Sequence, residues 1–296
     1  MIFGSSIVAL VTPMINNEID IERLRALVEF HIKQGTQAIV AAGTTGESGT
    51  LSDKEKQTVI YHVVEQANER IPVIAGTGSQ STEHTIELTT MAMQTGADGV
   101  LLMAPAYIKP TQEGLYQHYA HIAESVPLPQ ILYNVPSRTA CDLLPETIGR
   151  LSTFANIIGV KEATGDLSRI QAIQKACSRK LALFSGDDAS ARDFMRQGGD
   201  GVISVTANIT PHLIAMLCQS SLAHEEEKAD ALQTQLLPLH KALFLESNPI
   251  PVKWALHRLG LIQNSIRLPL TPCTETVQKT LEAAMKIADC FVGETL

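Results

Sequence analysis

Basic charge is in short supply in this sequence: 23 lysines and arginines face 31 aspartates and glutamates, a formal net charge of -8. That balance excludes a broad nucleic-acid or anionic-membrane surface, and it leaves attraction of an anionic substrate to local positive charge at a site. Charged residues of both signs make up only 18% of the 296 residues, against 45% hydrophobic ones, enough core material for one large domain or two modest ones. Cysteine pairing is also missing. The five cysteines (Cys141, Cys177, Cys218, Cys273 and Cys290) are scattered and odd in number, with no CxxC or Cys/His metal spacing, so neither a disulfide framework nor a zinc site is expected. No apolar run approaches the roughly 18 residues that span a bilayer. The apolar start from Met1 to Met14 lacks a basic segment and a small-residue cleavage pattern, and reads as a first strand rather than a signal peptide. The expected compartment is a reducing cytoplasm. No G-x-G-x-x-G follows that strand, so dinucleotide binding lacks its usual support.

What is present is a regular alternation. Short β-branched runs at Ser6–Val11, Ala38–Ala41, Val73–Ala75, Gly99–Met103, Gln130–Tyr133, Ile157–Lys161, Leu181–Phe184 and Gly201–Ser204 are separated by amphipathic stretches of helical period. The runs are apolar throughout instead of alternating, as parallel strands covered on both faces are. Glycines recur where a helix ends and a strand begins, at Gly35, Gly96 and Gly199, positions suited to a left-handed helix cap. Eight strand–helix units predict a (β/α)8 TIM barrel over residues 1–223. Residues 224–296 show three helical segments (Glu225–Leu243, Pro251–Leu261 and Thr274–Ala288) and no strands, a C-terminal helical appendix packed on the barrel.

Several strand ends carry candidate chemistry. Lys161 closes the apolar run Ile157–Lys161; a lysine there either snorkels its ammonium into water or, if desolvated, becomes a nucleophile for a carbonyl carbon at neutral pH. No second lysine lies nearby to lower its pKa, which leaves desolvation as the cause. The loop Gly43-Thr-Thr-Gly-Glu follows the second strand. It is either an anion cradle of backbone N–H groups with the Thr44 and Thr45 hydroxyls, or a plain turn with Glu47 bonded locally. It lacks the Gly-Lys-Ser/Thr ending of a P-loop. Tyr133 closes the fifth strand, either as a proton relay or as a packed aromatic. Arg138, five positions on, has a planar fork suited to a carboxylate unless it is simply solvated. Asp187 and Asp188 after Gly186 read as the N-terminal cap of the next helix.

Gly43-Thr-Thr-Gly-Glu, Tyr133-Asn-Val-Pro-Ser-Arg-Thr, Ile157-Ile-Gly-Val-Lys-Glu-Ala-Thr-Gly, Ser185-Gly-Asp-Asp and Pro249-Ile-Pro-Val-Lys occur in this order and at these separations. Together they resemble the dihydrodipicolinate synthase/N-acetylneuraminate lyase family of Schiff-base barrels, over Gly4 through Pro272. Arg138 resembles the synthase branch specifically. The resemblance implies condensation of pyruvate with L-aspartate 4-semialdehyde to 4-hydroxy-tetrahydrodipicolinate, in the diaminopimelate route to lysine, with no cofactor and no metal. The alternative is a pyruvate-dependent aldolase of the same superfamily acting on a sugar acid. By resemblance, Lys161 forms the imine and the Thr44 and Thr45 amides hold the pyruvate carboxylate. Tyr133 relays protons through Thr44 and through Tyr107 of a neighbouring subunit. Arg138 grips the semialdehyde carboxylate, the Ile203 backbone lines the pyruvate pocket, and Gly186 forms its wall. The partner is a second copy of the chain, in a homotetramer built as a dimer of dimers; neither nucleic acid nor membrane is implied.

Two departures stand out. Ala140 replaces a usual glycine, and its methyl group is tolerable at negative φ. Members inhibited by L-lysine hold it at an interface near the positions of Ser48, Gly49, Asp53, Lys56, Gln80, His84 and Ala106. They usually carry histidine, asparagine, glutamate and tyrosine where this chain has Asp53, Gln80, His84 and Ala106, so weak or absent inhibition is expected.

Overall fold

The computed structural model describes residues 3–291. Eight parallel strands, Ser6–Ala9, Ala38–Ala41, Val73–Gly76, Gly99–Met103, Gln130–Asn134, Ile157–Glu162, Ala182–Ser185 and Gly201–Ser204, pair in sequence order, and the first closes onto the eighth. A two-residue-stranded hairpin, Met14–Ile15 with Glu18–Ile19, follows the first strand. The strands are apolar on both faces because both faces are covered. Ile7, Val40, Ile74, Leu101, Ile131, Phe184 and Ile203 fill the barrel interior. Their chain neighbours Val8, Ile39, Ala75, Val100, Leu132, Leu183 and Val202 meet the surrounding helices. This period-two parity puts Tyr133 and Lys161 inside the barrel, and Asn134 and Glu162 outside it. The expected strand limits hold to within two residues.

Of the three helix-to-strand glycines two take the expected left-handed conformation and one does not. Gly35 and Gly96 adopt φ of +87° and +92°, but in the third repeat the left-handed residue is Gly198, at +101°. Gly199 is required for closeness instead, since a Cβ there would lie 2.2 Å from the Phe194 ring. Asp187 supports the cap of the helix Ala191–Arg196 indirectly, accepting hydrogen bonds from the Ser190 N–H (3.1 Å) and hydroxyl (2.6 Å). Asp188 is not a cap: it is buried, and its carboxylate accepts from the backbone N–H groups of Val205 and Thr206 at 2.9 and 3.0 Å. Cys141, Cys177, Cys218 and Cys273 are free thiols. Among the described residues no helix is long and apolar enough to cross a membrane.

The C-terminal helices, Glu226–Ala242, Ile250–Arg258 and Glu275–Ile287, add Leu232, Leu236, Trp254 and Leu281 to the same apolar cluster that backs the barrel. Two buried polar links join this region to the second-strand loop. Lys253 forms an ion pair with Glu47 and donates to the Thr12 carbonyl (3.1 Å). Arg267 donates its backbone N–H to Glu47 (3.1 Å) and its guanidinium to Glu55. The Glu47 carboxylate is therefore not locally bonded; it reaches a partner 206 residues along the chain.

The segment after the fifth strand is a single helical turn, Pro136–Thr139, which puts Arg138 at its end and Ala140 at its cap with φ +57° and ψ 21°. The condition for a harmless methyl at Ala140 is thus not met. A non-glycine residue held in the left-handed region costs roughly 1–2 kcal/mol, offset in part by the larger entropy glycine loses on folding. Ala140→Gly is expected to stabilise the protein by about 0.5–1 kcal/mol. Urea unfolding checks this through a raised midpoint at unchanged m value; a lowered midpoint refutes it.

Candidate active site

The C-terminal ends of the strands open into a cavity of about 740 Å³. Lys161 and Tyr133 come to it from adjacent strands, paired with each other in register. The Lys161 Nζ stands over the Tyr133 ring, 4.4 Å from its centroid. Lys161 is only 5% exposed. Burial draws its pKa down to about 8; the Asp188 carboxylate opposes that shift and the Arg138 cation adds to it. The amine is therefore partly neutral near physiological pH, as a carbonyl nucleophile must be. Burial pushes the Tyr133 phenol the other way, up to about 12, so Tyr133 enters any reaction as a hydroxyl able to donate its proton.

Gly186 lies against this pair. A Cβ on it would sit 2.6 Å from that of Ala163 and 3.1 Å from the Lys161 Cε. Only glycine leaves room for the lysine stem and a substrate beside it.

Gly43, Thr44 and Thr45 line the opposite wall. The turn there is made by left-handed residues flanking the threonines, Ala42 at φ +52° and Glu47 at +60°, and not by its glycines. Gly46 is needed for close approach, with the Leu10 carbonyl 3.0 Å from where its Cβ would be. The N–H groups of Thr44 and Thr45 donate to no acceptor among the described residues, which leaves both available to a ligand.

Arg138 reaches the mouth and donates to the Asn248 carbonyl at 3.3 Å. Asn248 in turn donates its side-chain amide to the Thr45 hydroxyl at 2.9 Å. Phe244, Leu245, Glu246 and Ser247 complete that rim. Sequence reasoning placed this segment in a packed appendix and missed it as part of the site. The one available signal was the resemblance of the Pro249-Ile-Pro-Val-Lys run that follows it.

Six of the eight expected site residues thus meet in one cavity: Lys161, Tyr133, Thr44, Thr45, Arg138 and Gly186. The other two do not line it. Ile203 is buried in the barrel interior with Tyr133, below the cavity floor, and Val205 two residues on forms part of the wall. Tyr107 is 84% exposed, with φ +74°, on the outer surface of the chain.

A family model described as the dihydrodipicolinate synthetase family matches residues 2–288. The chain belongs to that family. It is 56% identical over 284 residues to a 4-hydroxy-tetrahydrodipicolinate synthase of Legionella pneumophila, covering 96% of this chain and 98% of that protein. The enzyme of the same name from Methylococcus capsulatus is 56% identical over 289 residues, covering 97% and 99%. Among solved structures, the chloride inhibited dihydrodipicolinate synthase from Acinetobacter baumannii complexed with pyruvate aligns with a TM-score of 0.95 at 53% identity, covering 98% of this chain and 100% of that one. Dihydrodipicolinate synthase from Aquifex aeolicus aligns with a TM-score of 0.96 at 41% identity, covering 99% and 100%.

Proposed function

We propose that this chain condenses pyruvate with L-aspartate 4-semialdehyde to give 4-hydroxy-tetrahydrodipicolinate, through an imine on Lys161. The observation that carries this reading is the desolvated Lys161 amine on the cavity floor, facing unengaged Thr44 and Thr45 amides across the space a small 2-oxo acid would fill. The carboxylate of pyruvate docks on those amides, and its carbonyl carbon then lies open to the amine. Attack on that carbon with loss of water gives the imine, an electron sink that lets the methyl group release a proton. The resulting enamine carbon attacks the aldehyde, Tyr133 and Thr44 carry protons to and from the reacting atoms, and attack of the semialdehyde's own amino group on the imine carbon closes the ring and releases the Lys161 amine. Arg138 holds the carboxylate of the semialdehyde as a charge-assisted pair. Ile203 shapes the floor beneath pyruvate. The segment Phe244–Asn248 completes the mouth, so the helical region is a working part of the site.

Tyr107 fits a role in a second copy of the chain. It is a large, exposed residue held in a left-handed conformation, with its N–H bonded to the Thr139 carbonyl (3.2 Å) at the end of the Arg138 turn. The assembly proposed is a dimer in which each Tyr107 completes its partner's relay, paired again into a tetramer.

Incubation with pyruvate, reduction by borohydride and peptide mass mapping test the mechanism. One reduced pyruvate adduct per chain is expected, on the peptide carrying Lys161; an unmodified Lys161 overturns it.

L-Lysine is expected to inhibit weakly or not at all. Both His84 ring nitrogens are engaged, one with the Ser79 hydroxyl (3.1 Å) and one with Asp53 (2.9 Å), and Lys56 lies 3.5 Å from the same Asp53. Asp53 and His84 satisfy each other where a carboxylate would have to receive the ammonium of lysine. A missing charge-assisted bond costs about 1.5–3 kcal/mol, one to two decades in affinity. Steady-state rates should be unchanged by submillimolar L-lysine; half-inhibition in that range refutes the expectation.

A further inference from the structure

Directly behind the reacting pair, on the outer face of the barrel wall, lies a buried polar network built from residues with no chemistry of their own in the proposed reaction. Register pairs Tyr133 with Lys161, and one step further on it pairs Asn134 with Glu162. Asn134 and Glu162 are 0% and 4% exposed. The Glu162 carboxylate accepts from the Thr164 N–H at 2.8 Å, from the Arg169 Nε at 2.9 Å, and from the Asn134 amide at 3.2 and 3.4 Å. Asn134 also donates to Asp142 at 2.8 Å, and its own oxygen accepts from the Leu143 N–H at 2.9 Å. Arg169 closes the circuit, donating to Asp142 at 3.0 Å and to the Leu143 carbonyl at 2.6 Å. None of these side chains is left with an orphaned buried atom.

The network joins several of the segments that line the site. It ties together the ends of the strands that carry Tyr133 and Lys161. It binds the loop after Arg138 through Asp142 and Leu143, and the cavity-lining stretch Ala163–Gly165 through Thr164. Strand pairing, unbroken from Ile131/Gly159 to Asn134/Glu162, sets the register of the two strands but not the direction of the side chains at their ends or the course of the loops that follow. Stability does not call for charge here either, since a buried ion pair is often no better than well-packed apolar residues. What the ionic arrangement has and an apolar one lacks is direction: a fully satisfied network in a low dielectric holds its members to one arrangement.

We propose that Glu162 and Asn134, with Arg169 and Asp142, are positioning residues that lock the Lys161 amine against Tyr133 and the incoming carbonyl carbon. The proposal rests on the imine reading above and concerns the rate at which that imine forms. A misplacement of about 1 Å can cost on the order of 100-fold in rate.

The test uses the full chain. Glu162→Gln keeps the shape but sets an amide N–H against the donors of Thr164 or Asn134. It is expected to slow borohydride-trapped adduct formation with pyruvate, and kcat, by about 10–100-fold, while the end point remains one adduct per chain and unfolding remains cooperative. A merely structural role would instead lower the end point and leave the rate of the surviving fraction unchanged, and that result overturns the proposal, as does a folded variant that traps at the wild-type rate. If Glu162→Gln does not fold, Asp142→Asn, at a side chain 36% exposed, is measured in its place, with an expected slowing of about 3–10-fold; a wild-type rate overturns the proposal equally. Glu113→Gln, which breaks a surface pair with Arg150, controls for loss of a carboxylate and should leave the rate unchanged. Failure of the wild-type chain to trap pyruvate would instead overturn the imine reading itself.

Discussion

Replacing Lys161 by alanine should abolish the reducible pyruvate adduct and lower kcat/KM by about 10⁴-fold or more, with the fold retained. The size follows from the chemistry. Every later step draws on the imine as its electron sink, so no neighbouring group can substitute for the amine. Retention of the fold follows from the surroundings: alanine removes a desolvated amine and leaves a small space at a cavity that is already open to solvent. Mass mapping of the wild type and the variant after borohydride, beside their unfolding curves, checks both halves. Persistence of an adduct in Lys161→Ala would move the nucleophile elsewhere. The wild-type rate of imine formation should also depend on pH in a defined direction. Because the nucleophile is the neutral amine and its pKa is drawn down to about 8, the rate should climb as pH rises towards 8 and level off above it. An amine left at its ordinary pKa would go on gaining rate for a further two units or so.

Arg138→Ala is the second large effect, and it separates the semialdehyde reading from that of a sugar-acid aldolase. Loss of a charge-assisted pair to the substrate carboxylate costs about 1.5–3 kcal/mol, or roughly 10–150-fold in kcat/KM for the semialdehyde. Pyruvate trapping at Lys161 should remain, since the proposed mechanism docks that substrate on the Thr44 and Thr45 amides of the other wall. Steady-state rates with the semialdehyde varied, together with the trapping assay, give the two numbers. An Arg138→Ala chain that uses the semialdehyde normally would remove the main reason for preferring it as the second substrate. Some loss of pyruvate trapping would also be informative, because Arg138 and Thr45 are joined through Asn248.

The barrel was legible in the sequence because its signal is local. Eight apolar runs spaced by amphipathic helices leave few other ways to cover both faces of a parallel sheet. The six cavity residues were legible for a related reason: each stands at a strand end or in the loop after it, and a closed parallel barrel brings all such positions to one rim. Local conformation was harder to read. The left-handed positions include Ala42, Glu47, Ala140 and Gly198, and do not always fall on the glycine nearest the turn.

Long-range pairing lay beyond the sequence altogether. Glu47 looked like a local turn residue and proves to be the buried partner of Lys253. Phe244–Asn248 looked like a connection between packed helices and forms the rim across from Arg138. Glu162 and Asn134, next in the chain to Lys161 and Tyr133, are bonded to each other behind that pair. By itself the sequence determined the barrel, the rim positions and the presence of a lysine at a strand end, since each follows from periodicity and chain order. Only the tertiary structure decided that this lysine is buried, with its pKa drawn down. Its pKa depends on how much water and how much opposing charge surround the amine, and those are set by side chains such as Asp188 and Arg138, which meet Lys161 only when the barrel closes.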